Sequence, residues 1–219
     1  MLTPNTVSNH YLTHSILDDK GIGLAIKRLD LVHPSVSGNK FFKLKYNLEK
    51  AKSQGKSTIL TFGGAFSNHI YATAEAAKAE NLEAIGIIRG ERNEPLNPTL
   101  ARAEKLGMQL HFIDRTSYRN KTNPEFLVGL KEKFGDFYLI PEGGTNELAI
   151  IGTQEIIDLE DKQFSHICSS IGTGGTFAGL FVSLSEHQKL LGLSSLKGEF
   201  INQEIVDLIE KHHLESRLS

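Results

Sequence analysis

The hydrophobic positions along the chain form short apolar runs that alternate with stretches of helical spacing. The runs that we interpret as strands lie at 23–31, 57–62, 84–88, 108–113, 137–140, 164–169 and 190–196. Apolar residues three and four positions apart predict the helices, at 39–53, 70–79, 98–106, 124–134, 146–159, 177–185 and 200–211. Continuous apolar strands separated by helices are typical of parallel sheets covered on both faces. The pattern therefore predicts an α/β fold of parallel sheets flanked by helices.

Composition and charge narrow the class of protein. The chain has 219 residues, of which 39% are hydrophobic and 23% charged, as in an ordinary globular protein. Its net charge of −2 lacks the basic excess of nucleic-acid binders, and no apolar run is long enough to cross a membrane. The single cysteine, Cys168, excludes an internal disulfide, and the histidines show no set of metal ligands. With no charged-then-apolar leader at the start, we expect a cytoplasmic protein without metal.

A glycine-rich loop between a predicted strand and a predicted helix is the first candidate site. Its glycines let backbone N–H groups approach an anion, its threonines add donors, and the helix start adds partial positive charge. The residues predicted to bind a phosphate are Gly172, Thr173, Gly174, Gly175 and Thr176. The alternative is a tight turn without a ligand. No Gly-Lys-Ser/Thr ends the loop as in a Walker loop, and Phe177 replaces the third glycine of a dinucleotide fingerprint, which disfavours a nucleotide-binding oxidoreductase.

The loop at 63–69 follows the most apolar strand and is the second candidate site. Ser67, Asn68 and His69 present a hydroxyl, an amide and an imidazole in succession at a helix start. One such residue is the usual N-terminal cap of a helix, and that is the alternative for Ser67 or Asn68. The Gly-x-Ser-x-Gly pattern of esterases is missing around Ser67, so a serine hydrolase is disfavoured.

Lys40 is the third candidate. It follows Gly38-Asn39 at the start of a predicted helix, near the positive end of the helix dipole and near Lys43. Both neighbours lower the pKa of an ammonium group, and an amine of low pKa forms Schiff bases readily. The alternative is a solvated basic first turn.

Taken together, the three candidates match the needs of pyridoxal phosphate. This cofactor requires an amine for its aldehyde, a hydrogen-bond donor for its ring hydroxyl and a nest for its phosphate. Lys40, the loop at 63–69 and the loop at 172–176 supply these three features, so we predict a pyridoxal-phosphate site.

The chain resembles the family of pyridoxal-phosphate enzymes that comprises 1-aminocyclopropane-1-carboxylate deaminase and D-cysteine desulfhydrase. The likeness runs along nearly the whole chain. It is sharpest in Ser37-Gly38-Asn39-Lys40, in Gly63-Gly64 to Ser67-Asn68-His69, and in Thr173-Gly174-Gly175-Thr176. The resemblance implies the tryptophan-synthase-β-like fold, or fold type II. In that fold a small α/β domain, here 46–144, is inserted into a larger cofactor-binding domain formed by 1–45 and 145–219.

The same resemblance implies a role for each site residue. Lys40 would bind the cofactor covalently, and Ser67 would be catalytic at the substrate face. Asn68 would hydrogen-bond the pyridine hydroxyl, and the loop at 172–176 would bind the phosphate. The substrate would contact Ser67, Asn68 and His69, and the histidine is closer to the desulfhydrase branch because the deaminase branch typically has glutamine there.

The resemblance also implies an activity, and this chain differs from the family in its length. The expected activity is that of a lyase or deaminase that converts a small amino acid to a 2-oxo acid and ammonia, in a homodimer. Family members extend further than this chain, so we expect a C-terminally truncated larger domain whose cofactor site lacks one wall. The alternative is a non-catalytic or inactive fragment that binds pyridoxal phosphate or another small phosphorylated ligand.

Overall fold

The computed structural model describes residues 2–195 and 200–211 and shows an α/β protein. The strands are β1 Asn9–Leu12, β2 Leu24–Lys27, β3 Thr58–Gly64, β4 Glu83–Arg89, β5 Gln109–Ile113, β6 Tyr138–Ile140, β7 His166–Ile171 and β8 Lys189–Ser194. The helices are α1 Ser15–Asp19, α2 Asn39–Ser53, α3 Asn68–Ala79, α4 Pro98–Lys105, α5 Arg115–Arg119, α6 Pro124–Phe134, α7 Glu147–Gln154, α8 Gly175–Ser183 and α9 Phe200–Lys211. Among these helices, none is both long and apolar enough to span a bilayer.

The largest sheet is parallel and has the strand order β5-β4-β3-β6. Successive residues of its inner strand β3 pack into different hydrophobic cores, because side chains alternate between the two faces of a strand. Ile59 packs with residues of α2, α3 and α4, whereas Leu60 and Phe62 pack with residues of α5 and α6. Burial on both faces explains the continuous apolar run that the sequence shows at 57–62.

Two small sheets lie outside this four-stranded sheet. Strands β1 and β2 pair antiparallel, and β7 and β8 pair parallel. An amide pair joins α2 to the start of α7: Asn146 Nδ2 donates to Asn47 Oδ1 at 2.7 Å, and Asn47 Nδ2 donates to Asn146 Oδ1 at 3.2 Å. The pair therefore ties together the two places where the chain enters and leaves the segment at 46–144.

The sequence pattern predicted most elements but missed some boundaries. Helix α7 ends at Gln154 rather than at 159, since the Asp158 carboxylate accepts hydrogen bonds from the next backbone N–H groups and starts a separate 3-10 turn at Glu160–Gln163. Strand β1 and the short α1 and α5 were not predicted. The last predicted strand is observed as β8, and its predicted end at 196 lies outside the described residues, as do 197–199 and 212–219 of the predicted larger domain.

Candidate functional site

The three candidates, Lys40 and the loops at 63–69 and 172–176, meet at a cleft beside the carboxyl ends of β3 and β7, where parallel sheets usually bind their ligands. Its volume is about 280 Å³. The predicted site residues that line it are Lys40, Asn68, Gly172, Thr173, Gly174 and Thr176. Ser67, His69 and Gly175 do not line it. The fold therefore brings the lysine, the amide and most of the glycine-rich loop together.

The polar groups of this cleft suit an anion. Both Lys40 and Lys43 line it together with hydroxyl, amide and glycine residues, and within the described part of the chain no carboxylate lines it. A cleft of donors and cations without an acidic side chain leaves negative charge to be supplied by a ligand.

Lys40 stands in the first turn of α2. Gly38 precedes this helix with a φ of 68°, a left-handed conformation that glycine adopts without strain, so the Gly-Asn-Lys sequence sets where the helix begins. Lys40 Nζ donates to Asn39 Oδ1 at 3.0 Å, and Asn39 Nδ2 donates to Thr176 Oγ1 at 2.8 Å. Burial lowers the pKa of Lys40. The amine is therefore held near the glycine-rich loop, with a larger neutral fraction than an exposed lysine has.

Lys43 lies one turn further along α2 and is only 1% exposed. Its Nζ donates to Gly143 O at 2.8 Å, Thr145 Oγ1 at 2.9 Å and Thr173 Oγ1 at 3.2 Å, which uses all three of its N–H donors. Burial, with a smaller contribution from the charge of Lys40, lowers the pKa of Lys43 to about 7. Lys43 thus fastens the glycine-rich loop to the turn at 143–145, which the sequence did not predict.

Because the pKa of Lys43 is lowered in the folded protein, we expect the free energy of unfolding to depend on pH. From about pH 7 to 10.5 the unfolded lysine keeps a proton that the folded one has lost, so the free energy of unfolding should rise with pH in this window. The slope contributed by this one group approaches about 1.4 kcal/mol per pH unit. Denaturant unfolding between pH 7 and 9.5 should show that slope in the wild type and in Lys45→Met, and show it reduced in Lys43→Met. An equal slope in all three proteins would contradict the assignment.

The glycine-rich loop turns directly into α8. Gly174 has φ 74° and ψ −28°, the left-handed conformation, and precedes the first turn of the helix. The N–H groups of a first helical turn have no acceptor further back within their helix and point toward the helix start. Gly175 is buried behind the loop: a Cβ there would lie 2.9 Å from Thr145 Cγ2 and 3.2 Å from Lys43 Cε. Gly175, which was predicted to bind the phosphate, therefore packs closely behind the glycine-rich loop and does not line the cleft.

Replacing Gly175 by alanine should test this packing. The added methyl group must displace Thr145 or Lys43, and overpacking of this kind costs about 1–3 kcal/mol. We expect affinity for a phosphorylated ligand to fall about tenfold or more, as measured by titration calorimetry with pyridoxal phosphate. The control is Gly129→Ala in α6, where nothing lies within 4 Å of the added Cβ and affinity should not change. Equal affinities for the two variants would contradict the packing argument.

Ser67 and Asn68 stand at the start of α3. Ser67 is its N-terminal cap, since its Oγ accepts the Ile70 N–H at 3.3 Å. Asn68 is exposed and lines the cleft. The capping alternative considered for this loop therefore holds for Ser67. Ser67 does not line the cleft itself, although the next residue in the sequence, Asn68, does.

His69 lies in the core and is only 2% exposed, so its side chain lacks the accessible surface that direct contact with a substrate needs. Thr61 Oγ1 lies 2.8 Å from His69 Nε2 and donates its own proton to Ile140 O at 2.8 Å. The His69 Nε2–H must then be the donor to Thr61, which leaves Nδ1 unprotonated and without a hydrogen-bond partner. Burial, with the charges of Lys40 and Lys43, holds the pKa of His69 well below its usual value.

Two polar residues that support the site, Thr61 and Thr145, were not predicted. Thr61 faces inward from β3 within an apolar run, and Thr145 lies in a turn far along the chain. Thr145 Oγ1 also lies 2.6 Å from Thr173 Oγ1, so it contacts the glycine-rich loop directly. The only signal for either residue is a threonine at a strand or turn position, which is too common to single it out.

Comparison with known proteins gives a family and several relatives. A family model described as pyridoxal-phosphate dependent enzyme matches residues 12–203. A Pyrococcus horikoshii protein, provisionally named 1-aminocyclopropane-1-carboxylate deaminase, is 31% identical over 199 residues, which cover 87% of this chain and 61% of that protein. The mitochondrial bifunctional D-cysteine desulfhydrase/1-aminocyclopropane-1-carboxylate deaminase of Arabidopsis thaliana is 33% identical over 178 residues, which cover 73% of this chain and 44% of that protein.

A solved structure extends the comparison to the fold. The crystal structure of an ACC deaminase homologue superimposes with a TM-score of 0.82 at 30% identity, and the match covers 100% of this chain and 69% of that one. This likeness confirms the predicted fold class. The chain spans 61% and 44% of the lengths of the two curated relatives described above.

Proposed function

Since the chain belongs to the family of pyridoxal-phosphate dependent enzymes, we propose that it acts on a small amino acid as a lyase or deaminase and releases a 2-oxo acid and ammonia. One observation carries the proposal for this chain's own residues. The half-buried amine of Lys40 lies in the same cleft as the glycine-rich loop, and among the described residues no carboxylate lines this cleft.

The residues present fit this cofactor by the chemistry of their donors. Lys40 would hold the aldehyde group, and Asn68 would donate to the ring hydroxyl. The phosphate would rest on Gly172, Thr173, Gly174 and Thr176, with Gly175 packed behind them. When bound, the cofactor supplies an electron sink beside the reacting carbon of the substrate.

The chain's own residues would position groups and move protons. Lys40 Nζ, whose pKa burial lowers, can take up and release a proton near neutral pH more readily than an exposed lysine. Ser67 Oγ is the second proton carrier that we propose, at the start of α3. His69 supports the turn between β3 and α3 through its hydrogen bond with Thr61. Because its pKa is well below the usual value, His69 stays neutral and adds no charge to the cleft.

Product analysis tests the reaction and its substrate. D-cysteine would give pyruvate, ammonia and sulfide, whereas 1-aminocyclopropane-1-carboxylate would give 2-oxobutanoate and ammonia. We favour D-cysteine because His69 stands where the deaminase branch typically has glutamine, which is a likeness in sequence to the desulfhydrase branch and not a contact with the substrate. Pyruvate release from D-cysteine by the chain loaded with cofactor would support this choice, and release of 2-oxobutanoate alone would reverse it.

A carrier that binds a small phosphorylated ligand without turnover is the second candidate function. The cleft of donors and cations around the glycine-rich loop would suit such a ligand as well. This second function predicts ligand binding that tolerates Lys40→Ala.

Our proposal further includes the division of the chain into a small domain at 46–144 and a larger domain formed by 1–45 and 145–219. It also includes a cytoplasmic location and a homodimer.

A further inference from the structure

Asn39 lies between the amine of Lys40 and the hydroxyl group of Thr176. It is the first residue of α2, it is half-buried, and it lines the candidate site together with the other two residues. Its amide group makes two hydrogen bonds of opposite direction. Asn39 Oδ1 accepts from Lys40 Nζ at 3.0 Å, and Asn39 Nδ2 donates to Thr176 Oγ1 at 2.8 Å. One side chain therefore contacts both the candidate amine and the glycine-rich loop.

The charge of Lys40 sets the direction in which the Asn39 amide faces. An ammonium group has donors and no acceptor, so the amide turns its oxygen toward Lys40 Nζ. The reverse orientation would place two donors 3.0 Å apart. Nδ2 is consequently the atom that faces Thr176.

The Thr176 hydroxyl group must then use its own proton elsewhere. A hydroxyl group carries one proton, and a hydroxyl that accepts from an amide N–H keeps this proton for another partner. Thr176 is 9% exposed, and the residues that the structure describes provide no acceptor for its proton. Thr173 of the same loop differs, since its Oγ1 lies 2.6 Å from Thr145 Oγ1, with which it can share a proton. The Thr176 proton can therefore be donated to a ligand in the cleft.

We propose that Asn39 is a positioning residue, which makes the Thr176 hydroxyl group a fixed donor to the cofactor phosphate and holds Lys40 beside it. A fully ionised phosphate ester has only acceptor atoms, so it binds best where each hydroxyl group presents its proton. A donor that is oriented before binding needs no reorganisation when the ligand arrives. The inference rests on the proposed function, because it takes the phosphate of pyridoxal phosphate as the ligand.

A double-mutant cycle tests whether Asn39 acts through Thr176. The probe is pyridoxine 5′-phosphate, which has an alcohol in place of the cofactor's aldehyde and so forms no covalent bond with Lys40. By titration calorimetry, we expect Thr176→Val to weaken binding about tenfold and Asn39→Ala about threefold or more. The double variant should bind no more weakly than Thr176→Val. Losses that add up would overturn the proposal, because Asn39 would then act without Thr176.

Ser53→Ala is the matched control for Asn39→Ala. Ser53 lies at the other end of α2, and the substitution also removes one side-chain hydrogen bond, from Ser53 Oγ to Lys50 O at 2.9 Å. Ser53 does not line the candidate site, so affinity for pyridoxine 5′-phosphate should equal that of the wild type. A loss as large as that of Asn39→Ala would overturn the proposal, because loosening of α2 would then explain both effects.

The contact with Lys40 has a separate readout. Asn39 Oδ1 accepts from the charged form of Lys40 and favours it, whereas burial lowers the pKa of this lysine. Asn39→Asp puts a negative charge at the same place and should raise that pKa, and Asn39→Ala should lower it further. Only the unprotonated amine attacks an aldehyde.

The pH at which pyridoxal phosphate adds to the chain measures this effect. Followed by visible absorbance, the midpoint should move up by about one pH unit or more in Asn39→Asp and move down in Asn39→Ala. A loss of packing alone would not move the midpoint in opposite directions. Equal midpoints in the wild type and both variants would overturn the contact with Lys40.

The two experiments separate this proposal from the proposed function. A chain that shows the expected cycle with pyridoxine 5′-phosphate but no visible absorbance with pyridoxal phosphate would overturn the proposed function and leave the role of Asn39 toward Thr176 intact. Absorbance with pyridoxal phosphate in a chain whose cycle is additive would support the proposed function and overturn the role of Asn39.

Discussion

Replacing Lys40 by alanine will abolish the visible absorbance of the cofactor complex and reduce turnover about 10³-fold or more. The reason is that Nζ of this residue is the amine that we propose to bind the cofactor covalently and then to carry protons. The fold should survive the change, because burial disfavours the charged form of Lys40 and its one hydrogen bond is to the adjacent Asn39. Absorbance spectra of the purified variant with added cofactor measure the effect.

Lys45 provides the matched control for this variant. It lies on the same helix, but its Nζ forms an ion pair with Glu155 at 2.7 Å and does not line the candidate site. Surface ion pairs of this kind contribute about 0–1 kcal/mol. Lys45→Ala should therefore keep both the absorbance and the turnover. A Lys40→Ala protein with an unchanged spectrum would favour the alternative of a non-catalytic carrier.

Replacing Ser67 by alanine will reduce turnover about 100-fold and leave the cofactor absorbance in place. Loss of one positioned proton carrier typically has at least this effect on rate. The same substitution removes the cap of α3, which costs about 1 kcal/mol of stability. Turnover and the free energy of unfolding must therefore be measured together.

Two further variants separate the chemistry of Ser67 from its capping. Ser67→Asn keeps an acceptor for the Ile70 N–H but lacks the hydroxyl, so it should fold well and still lose turnover. Asn123→Ala removes a comparable cap, that of α6, and should lose stability without losing turnover. Wild-type turnover in Ser67→Asn would show that Ser67 acts only as a cap.

The elements that the sequence predicted well are those whose burial repeats with a regular period. Helix α2 was predicted at 39–53 and is observed at the same residues, and α6 likewise at 124–134. Strand β1 was missed because exposed residues make up most of it, so no apolar alternation marks it. Its existence depends on pairing with β2, and that contact is not visible in a local pattern.

The candidate site was predicted in its outline but not in the direction of each side chain. Asn68 and His69 are adjacent at a helix start, and successive residues of a helix point about 100° apart. The first therefore faces the cleft and the second enters the core, where Thr61 accepts its hydrogen bond. Lys43 was expected to supply charge alone, whereas its three hydrogen bonds show that it also holds two loops together. Such contacts depend on residues about a hundred positions away.

Borohydride reduction of the cofactor-loaded chain, followed by peptide mass spectrometry to locate the cofactor, tests the role of Lys40 most directly. We expect a stable adduct on the peptide that contains Lys40, at its side-chain nitrogen, and an unmodified Lys43. An adduct on another lysine, or a fully loaded chain without any adduct, would contradict the assignment of this amine to the cofactor.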